Sequence, residues 1–357
     1  MITENREEIY SYVKESLKWD HKYTECLNRE YFLESILRNI KNMDIYYINS
    51  WKARNSIKIL KDVAVIIWDM TFWRYFENFL AQVYLCKIGN KNLTQEIICF
   101  MTSFLSDKYQ DINKLSSFLA QINNQFGTGV QHQQEHDDQQ ERIIFLSKIF
   151  ALYHEIGHLE QRKNNSEIKM YHDMLMDMFG VINNNALTYL KDWEKLAKNA
   201  TSDIIEEKGK GKAILEEIVS DVYAIIHTIR LYKKLLKIDH LQAINECMQS
   251  YEYISGFQHM FTTINSAWEN HNIEIKFGLP LRCHEFNNYV NQLEITRNEI
   301  GGHVILLILR NIYNLNKIDL LQIVNDMDMC YINNTSVINC LANEHFICTA
   351  IDEAFHF

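Results

Sequence analysis

The residues best suited to chemistry in this sequence are two histidines and a glutamate in His154-Glu155-Ile156-Gly157-His158. Positions i and i+4 lie on one face of a helix, so both imidazoles can reach one tetrahedral zinc ion. Glu155, one position after the first histidine, leans toward a water on that ion and is suited to act as its general base. The spacing therefore predicts a zinc site that activates water for hydrolysis.

The apolar residues around this motif predict that it lies on a long buried helix. An apolar run leads from Arg142 into the motif without Gly or Pro, and Asn164-Asn165 is expected to end the helix after Lys163. The alternative is that His154 and His158 are two core histidines with other polar partners. We favour a metal because buried histidines need a partner and because a later segment offers a third ligand.

The third ligand is expected on a second helix, in Glu216-Glu217-Ile218-Val219-Ser220-Asp221, inside the apolar stretch Ala213 to Leu231. A charged side chain on a largely buried helix is costly unless it binds a metal or another partner. We assign Glu217 as the third ligand and Asp221 as the acceptor for the imidazole N–H of a ligating histidine, His154. The alternative is that these carboxylates form the exposed stripe of an amphipathic helix.

Together the two segments resemble the gluzincin clan of metallopeptidases, whose pattern is HExxH followed on a later helix by ExxxD. The resemblance implies one zinc ion per chain, held by His154, His158 and Glu217. It further implies that Glu155 is the general base and that Asp221 lies behind a ligand. A zincin-like core, with a small sheet beside the metal helix, would accompany this site.

A second likeness involves the segment from Val65-Ile66-Ile67-Trp68 through Phe72-Trp73-Arg74-Tyr75-Phe76. This segment is similar to one in the prophage-encoded phage-exclusion peptidases of the Lit type. The likeness implies a regulated protease with a narrow protein target and a role in phage defence.

Two other functions stay open on the residues alone. The same zinc site could hydrolyse a non-peptide amide, because cleft width and subsite chemistry decide between these substrates. The chain could also be a helical interaction protein with a structural or absent metal site. In that case the aromatic segment Trp68 to Tyr84 would be a docking surface, although aromatic stripes at helical spacing more often belong to a core.

The predicted reaction is hydrolysis of a peptide bond by a zinc-activated water. Glu155 takes the proton of that water and returns it to the leaving amine nitrogen. Negative charge that develops on the carbonyl oxygen also needs a donor. The candidates lie C-terminal to the zinc segments and are Arg282, His284, Arg297 and His303.

Composition predicts a folded cytoplasmic enzyme that acts on a protein or peptide. The chain has 357 residues, of which 47% are hydrophobic, and can bury a large core. Four of its first eight residues are charged, where a signal peptide is apolar, and no apolar run approaches the roughly 20 residues that span a bilayer. A net charge of −10 without a basic stripe disfavours nucleic acid as a partner.

The cysteines of this chain are scattered. None forms a CxxC pair, which argues against a zinc ribbon or a compact disulfide framework. We predict reduced and mostly buried thiols at all eight positions, which are Cys26, Cys86, Cys99, Cys247, Cys283, Cys330, Cys340 and Cys348.

A polar segment, Gln131 to Glu141, lies directly before the zinc helix and is too polar for a core. It is expected to be a disordered surface loop or, since glycines precede it, a lid over the cleft. His132 and His136 form an i,i+4 pair that could bind a second metal, but nothing apolar fixes that geometry. The basic run Lys208 to Lys212 is expected to be a solvated loop.

A single proline, Pro280, and 11 glycines predict a mainly α protein with long helices. An α+β fold is also open, with a small β-hairpin or sheet where residues 45–48 and 57–60 flank a polar turn. The predicted regions are an N-terminal helical region with this hairpin (1–125), the polar loop or lid (126–141), a zinc-binding helical core (142–236) and a C-terminal helical region packed as one unit with the core (237–357).

Overall fold

The fold is mainly helical, with a small four-stranded sheet in the N-terminal part, and this much of the predicted fold class is confirmed. The structure is a computed structural model that describes residues 11, 14–15, 23–38, 40, 42–50, 55–60, 63–89, 138–181, 210–277, 301–302 and 304–327. Its elements are β1 (Tyr23–Glu25), α1 (Tyr31–Leu37), β2 (Met43–Ser50), β3 (Ser56–Leu60), β4 (Val63–Asp69), α2 (Met70–Gly89), α3 (Asp138–Arg162), α4 (Ser166–Val181), α5 (Lys210–Leu236), α6 (His240–Phe277), α7 (304–313) and α8 (317–327).

The sheet has the strand order β1-β2-β4-β3. β4 runs parallel to β2 and antiparallel to β3, while β1 runs antiparallel to β2. Both runs predicted to be strands are strands of this sheet, so the predicted small sheet is confirmed, while the alternative of a hairpin between the two runs is wrong. β4 lies between them, because residues 64–69 are buried without alternation, as is typical of a central strand.

The aromatic segment that follows is part of the core. Trp68, at the end of β4, and Trp73, on α2, are both fully buried, and their rings stack with centroids 4.9 Å apart. Phe72, Phe76, Phe79 and Leu80 are buried with them. The alternative that this segment is a docking surface is therefore wrong for residues 68–80, where Arg74 is the one residue classed as exposed among those described.

Asp69 connects the sheet to α2. Its carboxylate accepts the backbone N–H of Thr71 at 3.0 Å, and its own N–H donates to Asn55 Oδ1 at 2.9 Å. An aspartate that accepts an N–H from the first turn caps a helix, so the change from strand to helix is sharp. The core aromatic residues of α2 are thereby held against the sheet.

α3 is the central helix, since it contacts α2, α4, α5, α6, β3 and β4. It begins at Asp138, so residues 138–141 of the predicted polar loop are helical, and Gln140 is buried. Its end agrees with the prediction: Asn164 has a φ of 53°, the left-handed conformation that ends helices. Asn165 then caps α4 by accepting the N–H of Glu167 at 2.8 Å. The rest of the polar loop, with His132 and His136, lies outside the described residues.

Two further helices complete the surroundings of α3. α5 begins at Lys210, so part of the basic run predicted as a loop is helical. α6 packs on both α3 and α5 and is joined to α3 by a buried hydrogen bond, 2.7 Å long, between the hydroxyls of Ser147 and Ser250.

Among the described residues, no helix combines the length and apolar character needed to cross a bilayer. Two free thiols are described, Cys26 and the buried Cys247; the other cysteine side chains lie outside the described part.

Candidate metal centre

The three side chains predicted to be zinc ligands, His154, His158 and Glu217, lie together, although α3 and α5 are far apart in the chain. Their ligand atoms all lie within 4.8 Å of one another. His154 Nε2 is 3.1 Å from His158 Nε2 and 3.3 Å from Glu217 Oε2, and His158 Nε2 is 3.5 Å from Glu217 Oε1. Within the described part of the chain, no other group of three such side chains meets in this way.

These distances fit a tetrahedral ion. Zinc bonds of about 2.0–2.1 Å give a tetrahedron with edges of about 3.3–3.4 Å. His154 Nε2 is 3.1 Å from His158 Nε2 and 3.3 Å from Glu217 Oε2, and both distances lie within about 0.3 Å of those edges. The other oxygen of the same carboxylate, Oε1, is 3.5 Å from His158 Nε2. Two imidazole nitrogens and a carboxylate oxygen are also the donor types that zinc accepts. The residues present therefore fit the ion that the motif implies.

The helix geometry explains why the ligands meet. His154 and His158 are one turn apart on α3, and their rings lie 4.7 Å apart and nearly perpendicular. Between them, Gly157 faces α5: a Cβ at this position would lie 3.1 Å from the Cα of Ser220. Such a distance is shorter than ordinary van der Waals contact, so a glycine lets the two backbones approach closely. This close approach brings Glu217 within reach of both imidazoles.

Asp221 lies behind the first histidine, in the position that the sequence assigns to it. Its Oδ1 is 2.8 Å from His154 Nδ1, and its side chain has no exposed surface. A carboxylate can only accept here, so the neutral imidazole carries its proton on Nδ1 and presents the Nε2 lone pair to the cluster. Asp221 therefore orients the His154 ring so that Nε2 faces His158 and Glu217.

The second histidine has partners that the sequence analysis missed. His158 Nδ1 is 3.1 Å from Ser220 Oγ. The side-chain amide of Gln161 donates to that same oxygen at 2.7 Å and to the backbone carbonyl of Glu216 at 2.6 Å. The only sequence signal is spacing, since Gln161 follows His158 by one turn and Ser220 follows Glu217 by one turn.

Glu155, the predicted base, is 9% exposed and is one of few buried charged side chains among the described residues. It lies on α3 directly after His154. Burial of a carboxylate is costly in a structural role and common at functional sites. The four candidate donors for a carbonyl oxygen, Arg282, His284, Arg297 and His303, lie outside the described residues.

A second polar cluster lies on α4 and α5, the latter being the helix that carries the candidate ligand Glu217. The carboxylate of Glu167 accepts hydrogen bonds from Tyr171 and Arg230, both at 2.6 Å, and lies 3.3 Å from His227 Nε2. Burial raises the pKa of Glu167, but these hydrogen bonds outweigh it and hold that pKa below its usual range. Burial lowers the pKa of His227, and the Glu167 carboxylate opposes this only in part. The ring of Tyr153 is 5.3 Å from that of His227, which connects the cluster to α3 next to His154.

Comparison with protein-family models, with curated protein sequences and with solved structures found no match for this chain. Inferences about its function therefore depend on the chemistry and geometry of these residues.

Proposed function

We propose that this protein is a zinc metallopeptidase of the gluzincin type, with one zinc ion bound by His154, His158 and Glu217. The observation that carries the proposal is the convergence of two Nε2 atoms and one carboxylate group, from two helices, at separations of 3.1, 3.3 and 3.5 Å. These are the donor types that zinc accepts. Glu155, on the same turn as the ligands, supplies the base that hydrolysis requires.

The number of ligands supports a catalytic rather than a structural metal. Structural zinc sites use four protein ligands, whereas catalytic sites use three and leave one position for water or substrate. The cluster offers three ligands within the described residues. It is also accessible, since the side chains of His158 and Glu217 are 24% and 38% exposed. A substrate can therefore approach from the Glu217 side.

When bound, zinc acts as a Lewis acid, which lowers the pKa of water to about 7 and polarises a carbonyl group. The protein then supplies the proton transfers. Glu155 accepts a proton from the attacking water and afterwards donates it to the leaving nitrogen. The low exposure of Glu155 keeps bulk water from competing for this proton.

The surroundings of α3 support an extended peptide as the substrate. β3, which contacts α3, is an edge strand and pairs only with β4 among the described residues. The free backbone groups of an edge strand can bind an extended peptide by β-addition. The Lit-type likeness would narrow the substrate to one protein target, but the segment that carries it is buried and bears on the fold alone.

Zinc stoichiometry tests the proposal. We expect about one zinc per chain in purified wild-type protein by elemental analysis, and a large loss in His158→Ala and in Glu217→Ala. Glu155→Gln should keep its zinc and lose hydrolysis of a degenerate pool of quenched-fluorescence peptides. Glu141→Gln, an exposed carboxylate on the same helix, is the matched control and should behave as wild type.

Each outcome of this test has a defined meaning. Absence of zinc in wild type after incubation with the ion would refute the proposal. Full zinc in Glu217→Ala would refute the gluzincin assignment. Zinc binding with hydrolysis of a small amide but of no peptide would favour an amidohydrolase. Equal activity of Glu155→Gln and wild type would exclude the role of Glu155 as base.

A further inference from the structure

We propose that Ser220 and Gln161 are positioning residues, which orient His158 as a metal ligand through a chain of neutral hydrogen bonds. The inference rests on the proposed function, because it concerns the same metal centre. It goes further by assigning roles to two side chains that the HExxH and ExxxD patterns do not specify.

The first step concerns the ring nitrogens of His158. Its Nε2 faces the ligand cluster, 3.1 Å from His154 Nε2 and 3.5 Å from Glu217 Oε1. An imidazole nitrogen that binds a metal carries no proton, so the ring proton must be on Nδ1. Nδ1 then needs an acceptor. Ser220 Oγ lies 3.1 Å away and can accept this hydrogen bond.

The second step concerns the serine hydroxyl, which could rotate without further support. The Gln161 amide donates to Ser220 Oγ at 2.7 Å and to the Glu216 carbonyl at 2.6 Å, so both of its N–H groups are used. This amide is therefore held between two acceptors and occupies one lone pair of the serine oxygen. The other lone pair is available to His158. Because Ser220 is fully buried, bulk water does not replace either partner.

The third step concerns the rigidity of the arrangement. Gln161 follows His158 by one turn of α3, and Ser220 follows Glu217 by one turn of α5, so each of the two positioning residues shares a helix face with a proposed ligand. The close helix approach at Gly157 brings Ser220 to the imidazole. Groups held on packed helices keep their positions more accurately than groups on loops.

The two histidines therefore have unequal partners. Asp221 is a buried carboxylate, which makes the His154 imidazole a stronger electron-pair donor to a metal. Ser220 is a neutral hydroxyl and strengthens the His158 imidazole less. Removal of a partner behind a ligating histidine typically weakens metal binding by roughly 10–100-fold. We expect Ser220→Ala to fall near the lower end, at about tenfold.

The test is zinc affinity, measured by competition with a chromophoric chelator for the full-length protein and its variants. Ser220→Ala should weaken zinc binding by about tenfold. Gln161→Met keeps the side-chain length without the amide donors, and should weaken binding in the same direction by a smaller factor. The visible spectrum of the cobalt-substituted protein should change in both variants, because the orientation of one ligand changes.

Ser147→Ala is the matched control. Ser147 is also a fully buried serine, on the same helix as His158. Its replacement by alanine removes a comparable hydrogen bond, the one to Ser250. It should reduce the free energy of unfolding while leaving the zinc dissociation constant and the cobalt spectrum unchanged. A purely structural role of Ser220 predicts the same behaviour for Ser220→Ala, so this comparison separates the two roles.

The outcomes separate this inference from the proposed function. Zinc dissociation constants within twofold of wild type for both Ser220→Ala and Gln161→Met would overturn the positioning roles, even with a sound metal site. If Ser220→Ala fails to fold, Gln161→Met alone decides. If wild-type protein binds no zinc, or His158→Ala binds it as tightly as wild type, the proposed metal centre itself fails.

Discussion

Replacement of Asp221 by Asn is the most informative single change at the proposed metal centre. Asp221 has no exposed surface, and its Oδ1 lies 2.8 Å from His154 Nδ1. Asparagine has nearly the same shape but is uncharged. Its amide can also present N–H groups to the ring, which favours the imidazole tautomer that cannot bind through Nε2. The substitution should therefore hold the His154 ring less firmly in this orientation, with little change in packing volume.

The expected loss of zinc affinity can be given a size. Outer partners of ligating histidines typically contribute 10–100-fold, and each factor of ten corresponds to about 1.4 kcal/mol. The complete burial of Asp221 and its short contact place this change near the upper end. We therefore expect about 100-fold weaker zinc binding, or about 2.8 kcal/mol. The loss should exceed that of Ser220→Ala, because the group removed there is a neutral hydroxyl.

The assay is chelator competition for zinc at pH 7, together with urea unfolding of the metal-free protein. Glu216→Gln is the control, because it removes the same formal charge one residue before Glu217, on an exposed side chain of the same helix. It should change zinc affinity by less than threefold. A zinc dissociation constant of Asp221→Asn within twofold of wild type would refute the role of Asp221 behind His154.

Two further changes test the packing and the charges around the site. Gly157→Ala should weaken both folding stability and zinc binding, because the added Cβ would lie 3.1 Å from the Cα of Ser220 and push α3 and α5 apart; unchanged thermal unfolding and zinc affinity would contradict this. His227→Gln should make stability less sensitive to acid. Burial lowers the folded-state pKa of His227, so below about pH 6.5 the unfolded chain takes up a proton on this imidazole before the folded chain does. Wild-type stability therefore falls as the pH drops through the folded pKa. The difference in unfolding free energy between pH 7 and pH 5 should therefore be smaller in His227→Gln, and an equal difference would contradict the reasoning.

The pairing of the strands shows where local sequence information ends. The β-prone runs at 45–48 and 57–60 are recognisable because β-branched and aromatic residues favour strands. Their partner is a third run, Val63–Asp69, whose position between them depends on the burial of both of its faces. Strand order is a property of the packed sheet, and short apolar runs do not encode it.

The elements that carry the candidate site follow from local patterns. The i,i+4 spacing of His154 and His158 places both on one helix face, and Asn164-Asn165 marks the end of α3 because asparagine tolerates the left-handed conformation. The same spacing places Glu217 and Asp221 on one face of α5. These relations depend only on the geometry of a single helix, so the sequence determined them.

The meeting of the two helices was decided by tertiary structure alone. The separation of His158 Nε2 from Glu217, and the contact between His158 Nδ1 and Ser220, depend on how closely α3 and α5 cross. The helices are close at Gly157, where an added Cβ would lie 3.1 Å from the Cα of Ser220, nearer than ordinary van der Waals contact. Serine and glutamine have no motif of their own, so the support behind His158 becomes visible only once both helices are in place.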